Sequence, residues 1–159
     1  MGAPKAAAGT YILILCSARA RTLEVGRLGR FPLQPGYYLY VGSAFGPGGV
    51  AARCGHHMRI SARPRWHIDY LRAVCRLEQI WYTHDAVRRE HEWAGRLASM
   101  PGMEAPLPGF GASDCGCATH LFFCRTPPSI SAFRRRVKKQ ETRLERVQVL
   151  DDKSQFIDY

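Results

Sequence analysis

The chain has no run approaching the ~20 apolar residues that a membrane-spanning helix requires. Its one early apolar stretch, Tyr11 to Cys16, is too short for the apolar region of a signal peptide. Both absences predict a cytoplasmic protein with no membrane partner. Disulfide density is lacking too, since six Cys in 159 residues suit free thiols or metal thiolates in a reducing compartment. Acidic residues are few beside basic ones, 13 against 23, leaving a net charge of +10. Apolar residues are not scarce: at 46%, with 11% aromatics, they exclude a disordered or collagen-like chain and suffice for one domain with a core of its own.

The positive charge is concentrated. Between Arg53 and Arg76 six Arg face Asp69 alone, and between Pro127 and Arg146 seven basic residues face Glu141 and Glu145, so each segment carries +5 and the remainder is neutral. Clustered Lys and Arg gain affinity by displacing the counterions of a polyphosphate, which points to a nucleic acid partner.

Strand character marks Tyr11–Cys16, Leu23–Leu28, Gly36–Gly42, Leu77–Thr83 and Thr119–Cys124. After the loop at Gly46 to Gly49, the residues Val50, Cys54, His57 and Met58 recur at helical spacing. Trp66 to Val74 reads as a short helix, and Asp85 as the N-cap of a helix from Ala86 to about Ser99. Met103 to Gly116 is a Pro- and Gly-rich loop; from Ile130 onward Phe133, Val137, Leu144 and Val147 form a sparse apolar stripe on a basic helix. The expectation is an α/β fold with a small, mainly antiparallel sheet flanked by helices over residues 8–126, followed by a basic helical extension over 127–159.

Two positions carry chemical information. In the helix after Asp85, Val87, Ala94 and Leu97 define an inward stripe, and Glu90 falls on it. A carboxylate turned inward is costly unless paired or bound to a cation, so Glu90 is either the partner of one of the many Arg residues or a metal-binding or catalytic group. In the preceding helix Arg53 and His57 stand at i and i+4 on one face. A fixed cationic fork beside a titratable imidazole suits a phosphodiester, and the Gly-rich loop before them lets backbone amides and the positive helix end approach an anion.

Around these residues lie Gly9, Thr10 and Tyr11 at the start of one strand and Tyr40, Val41 and Gly42 at the end of another. Here the sequence resembles the GIY-YIG nuclease superfamily, with GTY for the first signature and YVG for the second. It is most similar to the Uri-type branch of small proteins through YVGSAFGPGG, RWHIDYL and GFGASDCGC followed by THLFF, over about Gly9 to Phe123. The resemblance implies a metal-dependent endonuclease, acting on DNA in a structure-specific or repair-related role. Glu90 would hold Mg²⁺ or Mn²⁺, Arg53 would neutralise the pentavalent phosphate, and Tyr11 or Tyr40, assisted by His57, would orient or deprotonate water. A base role for either phenol requires nearby positive charge, since a free tyrosine has a pKa near 10.

Three features depart from that pattern. The span from Tyr11 to Tyr40 is long, consistent with an inserted hairpin around Glu24 to Arg30; the loop from Gly42 to Arg53 is also long; and the chain contains no Asn to follow the catalytic Glu, leaving Ser113 or Asp114 as substitutes. Arg59, Arg63, Arg65, Trp66 and His67 in the first basic segment, and Arg134, Arg135, Arg136, Lys138 and Lys139 in the second, are candidate nucleic acid contacts. His67 and Asp69 form an internal network or, less simply, a second metal site. Cys115, Cys117, His120 and Cys124 form either a packed Cys-containing turn and strand or a structural Zn²⁺ site, although C-x-C-x-x-H is not a familiar finger spacing. The rival functions are a non-catalytic nucleic-acid-binding module and a zinc-stabilised protein-interaction adaptor.

Overall fold

A computed structural model describes residues 4–112, 116–138 and 148–150 of the protein. Nine consecutive residues, Gly9–Ser17, form β1, and eight of them are buried. A strand covered on both faces reads as a continuous apolar run rather than an alternating one, which is why Tyr11–Cys16 stood out in the sequence. β1 is the middle strand of a five-stranded sheet, between β4 (Gly36–Ala44) and β5 (Arg76–Thr83), with β6 (Leu121–Cys124) beyond β4 and β7 (Gln148–Leu150) beyond β5. Every pairing is antiparallel. The chain is a small mixed α/β domain whose antiparallel sheet is flanked by helices, as expected.

The two faces of the sheet carry different cores. Tyr11, Leu13, Leu15, Tyr38 and Tyr40 point to one side, where they meet Val50 and Cys54 of α1 (Gly49–Met58) and Ile68 and Leu71 of α2 (His67–Arg72). Ile12, Ile14, Leu39 and Val41 point to the other and meet Trp93, Ala94 and Leu97 of α3 (Glu90–Ala98) and Phe133 and Val137 of α4 (Ile130–Lys138). The expected apolar stripe of the last helix thus docks through Phe133 and Val137; Leu144 and Val147 lie outside the described residues.

The inserted hairpin is present as a separate two-stranded sheet, β2 (Arg21–Val25) and β3 (Gly29–Leu33), which lays Val25, Phe31 and Leu33 onto the first core. Its first strand ends at Val25 rather than Leu28, because Gly26–Leu28 turns as a 3₁₀ helix that closes at Gly29 with φ of 86°, a conformation open to glycine.

Two further expectations are corrected. The helix bearing Glu90 begins at Glu90 and not at Ala86: Asp85 does not cap it but accepts the Val87 amide in a local turn, and Val87 is 54% exposed. The inward stripe is Trp93, Ala94 and Leu97. The opening turn of α1 is also not free to cradle an anion, because the Val50 and Ala51 amides donate to the Ala7 and Lys5 carbonyls and the Ala52 amide to that of Gly48.

Candidate functional site

The signature tyrosines meet because of strand register. Tyr11 on β1 lies directly opposite Gly42 on β4, and Leu13 lies opposite Tyr40, so the two phenols are diagonal neighbours on one face. Gly42 is needed for this: a Cβ there would collide with the Tyr11 ring. Gly9 is held by a similar constraint, since its Cβ would overlap the Thr83 carbonyl of β5 and the Val50 side chain. The glycines of both signature triplets are thus explained by close packing, without a positive φ.

α1 crosses this face and brings His57 down onto the phenols. The Tyr11 hydroxyl and His57 Nε2 are 2.8 Å apart, and the imidazole centroid lies 5.3 Å from the Tyr11 ring and 6.4 Å from that of Tyr40. Burial, reinforced by neighbouring His56 and partly opposed by Asp69, draws the His57 pKa down to about 3. Burial likewise raises both tyrosines, Tyr11 well above the ordinary phenol value; the Arg53 charge beside them pulls each the other way and does not prevail. The sequence-based condition for a phenolate base, positive charge sufficient to lower a tyrosine, is not met. Tyr11 and His57 form a neutral hydrogen-bonded pair.

That neutrality is measurable. The C2 proton of His57 should show no titration between about pH 5 and 8, in contrast with an ordinary histidine. Because the unfolded chain gains a proton at this position below about pH 6.5 while the folded one does not, His57 also makes stability fall as pH drops through that range. An NMR midpoint near 6.5 would contradict the arrangement.

Glu90 enters the same open cleft from the other side, as the first residue of α3. Its Oε2 accepts from Ser43 Oγ at 3.0 Å and its Oε1 lies 3.1 Å from His120 Nδ1, and no Arg is its partner in these contacts. Burial raises the Glu90 carboxyl, but the contacts with His120, Ser43 and His91 outweigh it and hold the group below the ordinary carboxylate value. Its side chain keeps 15% of its surface exposed, toward the cleft.

The cleft, about 360 Å³ in volume, is lined by Tyr11, Tyr40, Arg53, His57 and Glu90 together. Ser43, Arg88 and His91 also line it; nothing in the sequence distinguished them. Arg53 lies 4.7 Å over the ring of Trp66, which is 36% exposed, and Arg65 flanks the same ring at 5.8 Å, so cations and an aromatic surface meet at the rim. Arg88 stands 4.8 Å over Phe45.

Other predicted residues have different places. His67 lines the cleft, but its Nδ1 accepts the Gly111 amide at 2.8 Å, pinning a loop whose Phe110 is fully buried against Tyr40 and His67. Asp69 is an internal group: it accepts the Arg65 and Trp66 amides at the start of α2 and contacts His56 Nε2 at 2.9 Å. With His56 and His57 it forms one of two groups whose ligand atoms lie within 4.8 Å of one another. Arg72, counted in the basic segment, is buried, donating to the carbonyls of His57, Met58 and Cys75.

Arg59 and Arg63 are exposed and do not line the cleft. Arg134, Arg135 and Arg136 belong to α4, which packs on the sheet face opposite Tyr11 and His57. The side chains of Lys138 and Lys139 lie outside the described residues, as do Ser113, Asp114 and Cys115, the proposed substitutes for Asn and one suggested zinc ligand.

The suggested Cys/His set is redistributed. Cys124 ends β6 in the apolar core and donates its thiol to the Thr126 carbonyl, away from the group in which Cys117 and His120 are joined by His91. Among the described residues, no helix is long and apolar enough to cross a membrane. No curated protein and no solved structure matches the chain. Residues 10–143 match the family model described as a domain of unknown function, DUF123, and the protein belongs to that family.

Proposed function

We propose that the protein is a metal-dependent endonuclease of the GIY-YIG type that hydrolyses phosphodiester bonds in DNA. The observation that carries this is the convergence, in one cleft, of a neutral Tyr11–His57 pair, the Arg53 cation and the ionised Glu90. These residue types match the needs of phosphodiester hydrolysis: a path for one proton, a fixed positive charge and an anchor for a hard cation.

The donor set suits Mg²⁺ or Mn²⁺. Glu90 is the sole carboxylate among the described residues lining the cleft, it is kept ionised, and its neighbour Ser43 offers a hard oxygen. A cation that retains most of its waters and takes further ligands from phosphate needs little more. When bound, it would supply positive charge to the nonbridging oxygens as they gain charge.

The remaining work falls to the chain. Arg53 binds and neutralises the phosphate. Tyr11 accepts a hydrogen bond from the attacking water and passes its own hydroxyl proton to His57 Nε2 as it takes the water's proton; as the new P–O bond forms, the bond to the leaving sugar oxygen breaks, and that oxygen takes a proton from solvent. Before substrate arrives the imidazole is a weak base because it is buried, but a phosphate in the cleft adds negative charge beside it and favours the imidazolium. Tyr40, without that hydrogen bond and raised by burial and by Glu90, orients and shapes the cleft. This division assigns Tyr11 to the proton path, between the two phenols that the resemblance left open.

Labelled single-stranded, double-stranded and branched DNA incubated with Mg²⁺ or Mn²⁺, and with chelator, tests the proposal. Metal-dependent cleavage of at least one substrate is expected, and binding without cleavage under all these conditions would leave a binding module instead. Replacing Arg65 and Arg88 together by Ala should weaken DNA binding and reduce the slope of log affinity against log salt by about two, since each cation at the rim meets about one phosphate. The triple replacement of Arg134, Arg135 and Arg136 should lower affinity less, because α4 lies behind the sheet. The reverse order would move the DNA path to the other face.

A further inference from the structure

Three side chains, two of them lining the cleft, form a donor set to which the hydrolytic proposal gives no metal-binding role. His91 is the second residue of α3, while Cys117 and His120 lie on the segment leading into β6. Their ligand atoms are all within 4.8 Å of one another, and His91 Nδ1 and Cys117 Sγ are 2.8 Å apart. We infer that His91, Cys117 and His120 bind a transition metal of the zinc class at a site separate from the hard-cation position at Glu90.

The chemistry of the donors divides the two sites. A thiolate with two imidazoles prefers Zn²⁺ and its neighbours, whereas an oxygen-only environment prefers Mg²⁺ or Mn²⁺. His120 stands between the two positions: its Nδ1 lies 3.1 Å from Glu90 Oε1, so Nε2 is taken as the ligating nitrogen, with the carboxylate as the ring's outer neighbour. His91 is exposed and can turn without disturbing the core. For Zn–N of about 2.0 Å and Zn–S of about 2.3 Å in tetrahedral geometry, nitrogen and sulfur stand about 3.5 Å apart, so the contact between His91 and Cys117 has only to open slightly. Three protein ligands leave a fourth position for water.

Such an ion would tie the first turn of α3 to the segment before β6, and through His120 it would fix the carboxylate of Glu90. Two segments of the polypeptide 26 residues apart in sequence would then move as one.

The test is spectroscopic and needs no substrate. Chelator-stripped full-length protein titrated with Co²⁺ should bind one ion per chain with a thiolate-to-cobalt charge-transfer band and the visible bands of a tetrahedral centre, and Zn²⁺ should displace it. Cys117→Ser should abolish the charge-transfer band. His91→Ala, an exposed change that leaves the fold intact by circular dichroism, should weaken Zn²⁺ binding tenfold or more, since loss of a ligand exceeds the effect of losing an outer partner. Glu90→Gln should keep the band, so an inactive nuclease and an absent metal site are told apart. No thiolate band in the native protein, a band that survives Cys117→Ser, or unchanged Zn²⁺ affinity in His91→Ala would each overturn the site.

Discussion

Glu90→Gln should reduce DNA cleavage by ~10³-fold or more while leaving affinity for uncleaved DNA nearly unchanged. The amide keeps a hydrogen bond with Ser43 and the shape of the side chain, so the fold and the cleft persist. What disappears is the negative charge that anchors a cation, and this interaction matters most as charge develops on the phosphate. Removing an acid from a wall otherwise occupied by Arg53, Arg65 and Arg88 gives DNA no reason to bind more weakly. Single-turnover cleavage measured beside equilibrium binding separates the two quantities, and activity within about tenfold of the native protein would remove Glu90 from the chemistry.

Arg72→Ala should be the most damaging single change to stability among the basic residues. Its Nε donates to the His57 carbonyl at 2.8 Å, and its two terminal nitrogens donate to the carbonyls of Cys75 and Met58 at 3.1 and 3.2 Å. The last turn of α1 leaves carbonyls without partners inside the helix, and the guanidinium of α2 fills that role from a neighbouring element. Its loss strands buried acceptors and costs about 3 kcal/mol, which lowers Tm by about 6–12 °C in a chain of this size. Lysine should not rescue it, because one ammonium cannot imitate a planar fork reaching three carbonyls. A shift in Tm smaller than about 2 °C would show that water replaces the guanidinium without penalty.

Much of the sheet was legible in the sequence because β1 and β4 are covered on both sides, which forces their residues to be apolar or small. The site was legible for mixed reasons. Arg53 and His57 do share one face of a helix, as their spacing required. Glu90 does enter the cleft, but not by lying on a stripe with Val87: a helix-periodic pattern extended four residues too early, and the carboxylate is oriented by Ser43 and His120, which are distant in sequence. Arg72 was invisible among five other arginines because its identity as a helix cap depends on where α1 ends. His91 gave no signal either; an exposed histidine on a helix gains meaning only when Cys117 and His120 are brought to it by the fold.

The position of β1 has a consequence for how the chain is made. Its two hydrogen-bonding edges are satisfied by residues 36–44 and 76–83, so once made this strand must wait until residue 83 has been synthesised before its pairing is complete. Until then, the nascent chain presents Tyr11, Ile12, Leu13, Ile14 and Leu15 with bare amides on either side, a template for unwanted strand addition. A trigger-type holdase that covers early apolar segments during synthesis should therefore raise the yield of folded protein most when translation between residues 18 and 83 is slowed.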